Sequence, residues 1–454
     1  MKQIDALPDD VLPEIFDFFM IMNSSYGGKT GIEAWQSLVH VCRRWRTLVF
    51  RSPRRLNLRL VCTPETPVKD TLDIWPALPL IVRGRMTLSS GTDNIIAALE
   101  RSSRVCQVYL LNLAVWQLEK VLAAMQVPFP ELTDLRLFSD GETLPVTPDS
   151  FLDGSAPRLQ YFESSGIPFL GLPKLLPSAT HLVELWLSNI PHSGYISPEA
   201  MVALLCALSS LGSLFLEFES PQSRPALESR CLPPPKRSIL PALDEFRFKG
   251  VTEYLEDLMT FIDAPQLNFL LITFFNQIDF DCPRLAQFVN RTPTLRTLNE
   301  SHVQFCDNFA RVGLSPGPGT VEMVISCREP DWQLSSVAQV CNSSLHPIST
   351  VEDLYIEHEY SELIWKNDAI ENTLWLELLL PFTAVENLYL SEEFAPGIAA
   401  TLQELVEDRI AELLPNLQNI FVEGLQVKSS GHLQENIWQF AAARWHPIAI
   451  SAWM

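Results

Sequence analysis

Residues 23–31, NSSYGGKTG, carry the end of a phosphate-binding loop. Gly28, Lys29 and Thr30 have the order that would set backbone N–H groups, an ammonium and a hydroxyl around a nucleotide's phosphates and magnesium. The pattern needs a glycine where Asn23 stands, and no strand-like run precedes it, so a flexible connection between helices is the favoured reading. The run GLSPGPG at 313–319 cannot cradle a dinucleotide, because its prolines remove N–H donors that would face the phosphates. The eight histidines stand apart from the nine cysteines at any metal spacing, and neither HExxH nor GxSxG occurs. Glu357, His358 and Glu359 read as a solvated turn after a strand, and the other carboxylates form no acid–base pair. No enzyme reading rises above background, and neither a cofactor nor a metal is expected.

The remaining chemistry is that of surfaces. Among 454 residues, 54 are Asp or Glu and 33 Lys or Arg, a formal net charge of −21. That charge argues against a general nucleic-acid binder, which needs cations to displace phosphate counterions, and against an anionic membrane surface. The charge is uneven. Residues 1–60 hold nine basic and six acidic side chains, whereas 351–425 hold sixteen acids against Lys366 and Arg409 alone, net −14. No window of 18 residues is apolar enough to span a bilayer, and the first residues lack the basic start of a secretory signal. With cysteines scattered and no CxxC pair, the expectation is reduced thiols and a cytoplasmic and/or nuclear address.

Two kinds of element must carry these surfaces. In LPDDVLPEIFDFF, Leu7, Val11, Ile15 and Phe19 recur every fourth residue with Leu12 and Phe16 alongside, which predicts a helix. Pro13 is comfortable only in a first turn, so Asp9 or Asp10 is the expected N-cap. A second helical region runs over 33–49, with Trp35, Leu38, Val41, Cys42, Trp45 and Leu48 on or beside its apolar face. About fifty residues cannot bury two tryptophans and this much Leu, Ile and Phe alone. Such a module must dock on a partner or on the following domain.

LPDDVLPEIF at 7–16, followed by W-x-x-L-V-x-V-C-R-R-W-R-x-L-V at 35–49, closely resembles the F-box, the adaptor-binding helical module of SCF-type ubiquitin ligase receptors. The continuation over 52–82 is similar to F-box proteins of mushroom-forming fungi. The chain departs from the family pattern at Pro13 and in its long 20–34 connection. The resemblance implies that Leu7, Pro8, Val11, Leu12, Ile15 and Phe16 pack against a Skp-family adaptor and, through it, a cullin. Trp35, Leu38, Val41, Cys42, Trp45 and Leu48 would complete that surface or the module's own core.

From residue 130 onward, apolar residues return at offsets 0, 3 and 5. The copies start at Leu132, Leu159, Leu182, Leu211, Leu243, Leu267, Leu295, Val321, Val351, Val385 and Leu417, 23 to 34 residues apart. Alternation of this kind describes a strand with one buried face, and helix-like segments such as ATLQELVEDRIAELL lie between. The expectation is therefore an α/β chain: a small helical F-box over 1–60, a connecting segment with degenerate repeats over 61–130, and a leucine-rich-repeat solenoid over 131–454. The solenoid would have parallel strands on its concave side, helices on its convex side and a C-terminal helical cap. The copies at Leu295 and Val321 fit worst, so the array is expected to bend or break there.

Even offsets point outward. Offset 4 reads Arg136, Glu163, Trp186, Phe215, Arg247, Leu271, Asn299, Ile325, Tyr355, Tyr389 and Phe421, five of eleven aromatic in a chain that is 10% aromatic. An exposed aromatic column suits a protein partner; loops could equally cover it, or strand propensity alone could favour it. The candidate substrate-binding residues are Trp186, Phe215, Arg247, Tyr355, Glu357, Tyr389, Phe421 and Glu423, with a basic protein segment as the expected ligand. Together with the resemblance this predicts a substrate-recognition subunit of an SCF-type ligase, or alternatively an interaction scaffold that recruits no ligase.

Overall fold

The computed structural model describes residues 7–24, 34–53, 55–86, 91–139, 145–221, 237–275, 282–296, 298–315, 319–342, 346–358, 372–404, 413–423, 441 and 448–453. The chain forms two compact units, Met1–Leu182 and Val183–Met454. The boundary falls inside the stretch that the sequence reads as one array.

The first unit opens with α1 (Leu12–Ser24), α2 (Ala34–Val39) and α3 (Arg43–Arg51). Pro13 is the second residue of α1, inside the turn whose N–H groups have no intrahelical partner anyway. The expected cap at Asp9 or Asp10 is displaced, since the helix begins at Leu12; Asp9 instead accepts from Arg44 of α3 at 2.6 and 2.8 Å. The helical region expected over 33–49 consists of two helices, α2 and α3. Cys42 is fully extended and its Sγ accepts from the Trp45 N–H at 3.4 Å, so it ends one helical run and caps the next.

Strand–helix alternation then begins: β1 (Leu60–Cys62), α4 (Val68–Ile74), β2 (Leu80–Arg85), α5 (Thr92–Leu99), β3 (Val105–Leu111), α6 (Val115–Ala124), β4 (Asp134–Phe138), β5 (Tyr161–Ser165) and α7 (Leu172–Leu175). The five strands pair in sequence order, all parallel. Parallel neighbours need a crossover, which the intervening helices and loops supply.

The second unit contains β6 (Glu184–Ile190), α8 (Pro198–Leu205), β7 (Ser213–Phe218), β8 (Ser238–Ile239), β9 (Glu245–Gly250), α9 (Thr252–Phe261), β10 (Ile262–Asp263), β11 (Phe269–Phe274) and α10 (Pro283–Arg291). It continues through β12 (Glu300–Phe305), β13 (Phe309–Ser315), β14 (Thr320–Ser326), α11 (Pro330–Asn342), β15 (Asp353–His358), α12 (Asn372–Leu379), β16 (Asn387–Leu390), α13 (Ala395–Glu404), β17 (Asn419–Glu423) and β18 (Ala449–Trp453). Its sheet runs β6-β7-β9-β11-β14-β13-β12-β15-β16-β17-β18, while β8 and β10 form a separate parallel pair. Both units are thus mixed α/β with parallel-dominated sheets.

The strands bury alternate residues, so Leu214 and Leu216, Phe246 and Phe248, Leu270 and Ile272 lie in the core with Leu205, Leu258 and Met259 of the helices. Offset 3 of the sequence pattern matches register partner to register partner from Leu185 to Leu270, and again from Leu354 to Ile420.

Between those runs the pattern slips. Strands β12, β13 and β14 form antiparallel pairs, with β13 the one strand of the unit's sheet that runs backward among the described residues. Leu270 is opposite Val321 rather than Val324, and Leu354 is opposite Ser301 rather than Leu298. Two expected outward residues are therefore corrected: Ile325 is buried in the core, and Asn299 precedes its strand. The C-terminal helical cap was expected where 424–440 and 442–447 lie outside the described residues. Residues beyond them form β18, a strand parallel to β17.

Candidate docking surfaces

In the N-terminal module α1 sorts its apolar residues onto two faces. Leu12 and Phe16 are fully buried, Phe16 lying 4.8 Å from Trp45. Val11, the residue before the helix, faces outward with Ile15 and Phe18, the last 66% exposed. The spacing explains the split: 11, 15 and 18 share one side of a helix and 12 and 16 another. Trp35 is buried edge-on to Trp75 at 5.1 Å and donates its indole N–H to the Arg59 carbonyl at 2.9 Å. Of the twelve residues the resemblance assigns to adaptor contact or module core, Leu12, Phe16, Trp35, Leu38 and Leu48 are core. Pro8, Val11, Ile15 and Val41 are exposed, and Leu7, Cys42 and Trp45 half-buried. Phe18 was missed because its position falls off the every-fourth-residue count.

On the second unit's sheet the residues opposite the helices are half-buried. Three members of the expected column stack: Tyr355 on Tyr389 at 4.1 Å and 6°, and Tyr389 on Phe421 at 4.5 Å and 9°. The cause is geometric. In-register parallel strands repeat at about 4.8 Å, close to the thickness of stacked rings. A fourth ring, His302 of β12, extends the stack at 4.4 Å and 6° from Tyr355. The sequence pattern missed it because its column position was assigned to Asn299, three residues upstream. The alternation of Ser301, Val303 and Phe305 with polar Glu300, His302 and Gln304 carried the correct register.

His302 sits among carboxylates. Its Nε2 lies 2.6 Å from Glu300 and its Nδ1 3.5 Å from Glu357, to which the Gln304 amide also donates at 3.0 Å. The Glu357 bond, followed by Glu300, raises the imidazole pKa against the opposing effect of burial. Reciprocally, His302 and then Gln304 hold the Glu357 carboxyl below its ordinary value, against burial. Glu357 is thus a strand residue in a charge network, where a solvated turn was expected. Burial in the stack, then neighbouring Tyr389, pushes the Tyr355 phenol up. Beside the rings, Asn387 donates to Asp353 and Asn419 to Asn387, both at 2.7 Å. Glu423 lies half-buried at the end of β17.

A second cluster begins the same column. Trp186 and Phe215 lie 5.3 Å apart, and Phe215 is the register partner of Arg247. Arg247 bonds to Glu245 at 2.5 Å and lies over the Phe269 ring at 5.1 Å. All eight predicted substrate-binding residues are therefore on one face, in two groups, with the charged strands β12–β14 between them.

The first unit holds a cavity of about 630 Å³ lined by Arg59, Arg104, Cys106, Arg158 and His181. Its arginines have structural partners: Arg104 donates to the Leu78 carbonyl at 2.9 and 3.0 Å, Arg158 pairs with Glu131, and Arg59 with Asn57 at 3.1 Å. Among the described residues the eight cysteines are free thiols, no cluster of metal-ligating side chains occurs, and no helix is long and apolar enough to cross a membrane. No protein-family model and no curated protein matches the chain.

Proposed function

We propose that the protein is a non-catalytic substrate receptor. Its N-terminal helices would dock a Skp-family adaptor of an SCF-type ligase, and its sheet face a basic protein segment. The observation that carries the reading is the outward apolar face of α1, where Val11, Ile15 and Phe18 stand exposed beside a module whose own core is already filled by Phe16, Trp35 and Leu48. Exposed apolar side chains clustered on one helix face fit an interface better than they fit water. Strand–helix units of the second unit that pair in register at spacings of 24 to 34 residues support a leucine-rich-repeat solenoid, with one antiparallel strand inserted among the described residues. The carboxylates of Glu300, Asp353, Glu357 and Glu423 around a ring stack support a basic ligand.

The alternative, a scaffold that recruits no ligase, draws on Trp35. Its packing on Trp75 and its bond to Arg59 tie the helices to the chain that follows, as a capping module would be tied. Adaptor capture separates the two. Full-length protein should recover a Skp-family adaptor and cullin from lysate, and Ile15→Asp with Phe18→Asp should abolish recovery while leaving helical content unchanged. Wild-type protein that recovers neither refutes the receptor reading. The acidic face is tested independently: binding of an oligolysine peptide should weaken with salt and with Glu357→Gln plus Glu423→Gln.

A further inference from the structure

The ring stack ends at His302. One face of the imidazole lies on Tyr355; on its other side β13 places Gly313 directly opposite, and β14 beyond it places Glu322. The column from Trp186 to Ser451 has a side chain at every other described position. Crowding does not require this glycine, because a Cβ built there would meet nothing nearer than 3.8 Å, the backbone oxygen of His302. Backbone geometry does not require it either, since its φ lies outside the left-handed region. A glycine inside a strand weakens it and often marks a bulge, a tight bend, or a close approach of a ligand or another backbone; the pairings of β13 on both sides carry no register shift at Gly313, so a bulge is not the reason.

The gap has defined walls. Strands about 4.8 Å apart put the backbones of His302 and Glu322 roughly 10 Å from each other. That leaves room for one planar group on the open imidazole face and a carboxylate beyond it. Among the described residues no donor or cation bonds Glu322. The nearest cation on β13, Arg311, faces Gln304, and its guanidinium lies 5.6 Å over Phe309, along the strand away from Gly313.

We propose that the gap over Gly313 is a guanidinium slot, taking one arginine of a docked basic segment stacked on His302 and paired with Glu322. The proposal rests on the reading of this face as a basic-segment surface and names the residue it selects. Arginine fits where lysine does not. A guanidinium is planar, stacks on a ring and presents a fork of donors to a carboxylate, whereas an ammonium is a compact, strongly hydrated point charge. An aromatic side chain could continue the stack but would desolvate Glu322 without pairing it.

The test uses the full chain and two fluorescein-labelled probes of equal length, oligoarginine and oligolysine, read by anisotropy. Wild type should bind oligoarginine about five- to tenfold more tightly, the worth of one forked, charge-assisted guanidinium–carboxylate pair on Glu322. Gly313→Val fills the slot with a residue that suits a strand. It should erase the preference by bringing oligoarginine affinity down to that of oligolysine, and slow hydrogen exchange in β13. Glu322→Gln should reduce the preference without touching the backbone. If wild type shows no preference while oligolysine binding still falls with Glu357→Gln, the slot is wrong and the basic-surface reading stands. If neither probe binds, both are wrong. A preference that survives both Gly313→Val and Glu322→Gln overturns the slot.

Discussion

Replacing Tyr389 with alanine removes a ring that touches stacked neighbours on both sides, Tyr355 at 4.1 Å and Phe421 at 4.5 Å. Each stacked pair is worth about 0.5–1.5 kcal/mol beyond area burial, so the two contacts come to about 1–3 kcal/mol. The ring is half-buried, which adds about 1 kcal/mol of lost apolar burial. A loss of about 2–4 kcal/mol is expected. A global unfolding curve is the wrong instrument for a chain of two compact units, because a single transition is not guaranteed. Hydrogen exchange on peptides covering β15 and β16 reads the local opening free energy instead. The decisive quantity is the coupling between Tyr355→Ala and Tyr389→Ala. If the stack is a cooperating unit, the double variant should lose about 0.5–1.5 kcal/mol less than the sum of the singles. Losses that add to within about 0.3 kcal/mol would refute the reasoning, reducing the stack to a coincidence of strand spacing.

The His302–Glu357 pair makes exchange protection of β12 and β15 depend on pH from both sides. Because His302 is raised, its contribution is complete below the unfolded value of about 6.5 and fades as pH climbs through the folded one; because Glu357 is depressed, its contribution is complete above about 4.3 and fades as pH falls through the folded one. Protection corrected for intrinsic exchange should therefore peak in the weakly acidic range, and His302→Gln should flatten the peak. In the N-terminal module Trp35→Ala should cost about 3–5 kcal/mol, because it empties a fully buried site and leaves the Arg59 carbonyl without its donor. Loss of helical signal should accompany it, whereas Ile15→Asp should leave that signal intact.

The repeating part of the fold was readable where burial is simple. A strand with one face in the core must alternate, and Leu214, Phe246, Leu270, Leu354, Leu388 and Ile420 all show the outcome. The pattern misled where two leucines, Leu295 and Leu298, matched offsets 0 and 3 while lying before the strand: Leu295 ends a short 3-10 turn, and the core position of β12 belongs to Ser301. A hydroxyl at a core position breaks hydrophobic counting. The reversed β13 then hides the return of register at Val321, since alternation carries no information about strand direction. In α1 periodicity located the apolar residues but not their partition, which depends on where α2 and α3 lie. The site's most informative residues, His302, Gly313 and Glu322, are all on the three strands where the count failed. An extra strand that leaves the main repeat is where a local departure can be tolerated and used.

The two surfaces belong to different units, Met1–Leu182 and Val183–Met454, and share no residue. Mutations without shared partners add, so the surfaces should fail independently. Ile15→Asp with Phe18→Asp should lose the adaptor and keep the affinity of wild type for an oligoarginine peptide. Tyr389→Ala with Glu357→Gln should lose the peptide and keep the adaptor. Measured as a two-by-two cycle with adaptor and peptide each present or absent, the coupling free energy between the ligands should be zero within about 0.5 kcal/mol. That expectation follows from the proposed receptor role, in which a tether that weakened when substrate bound would release it from the ligase. A measured coupling above about 1 kcal/mol would mean that the helices and the sheet switch together, and the protein would have to be understood as a regulated device rather than as two independent grips.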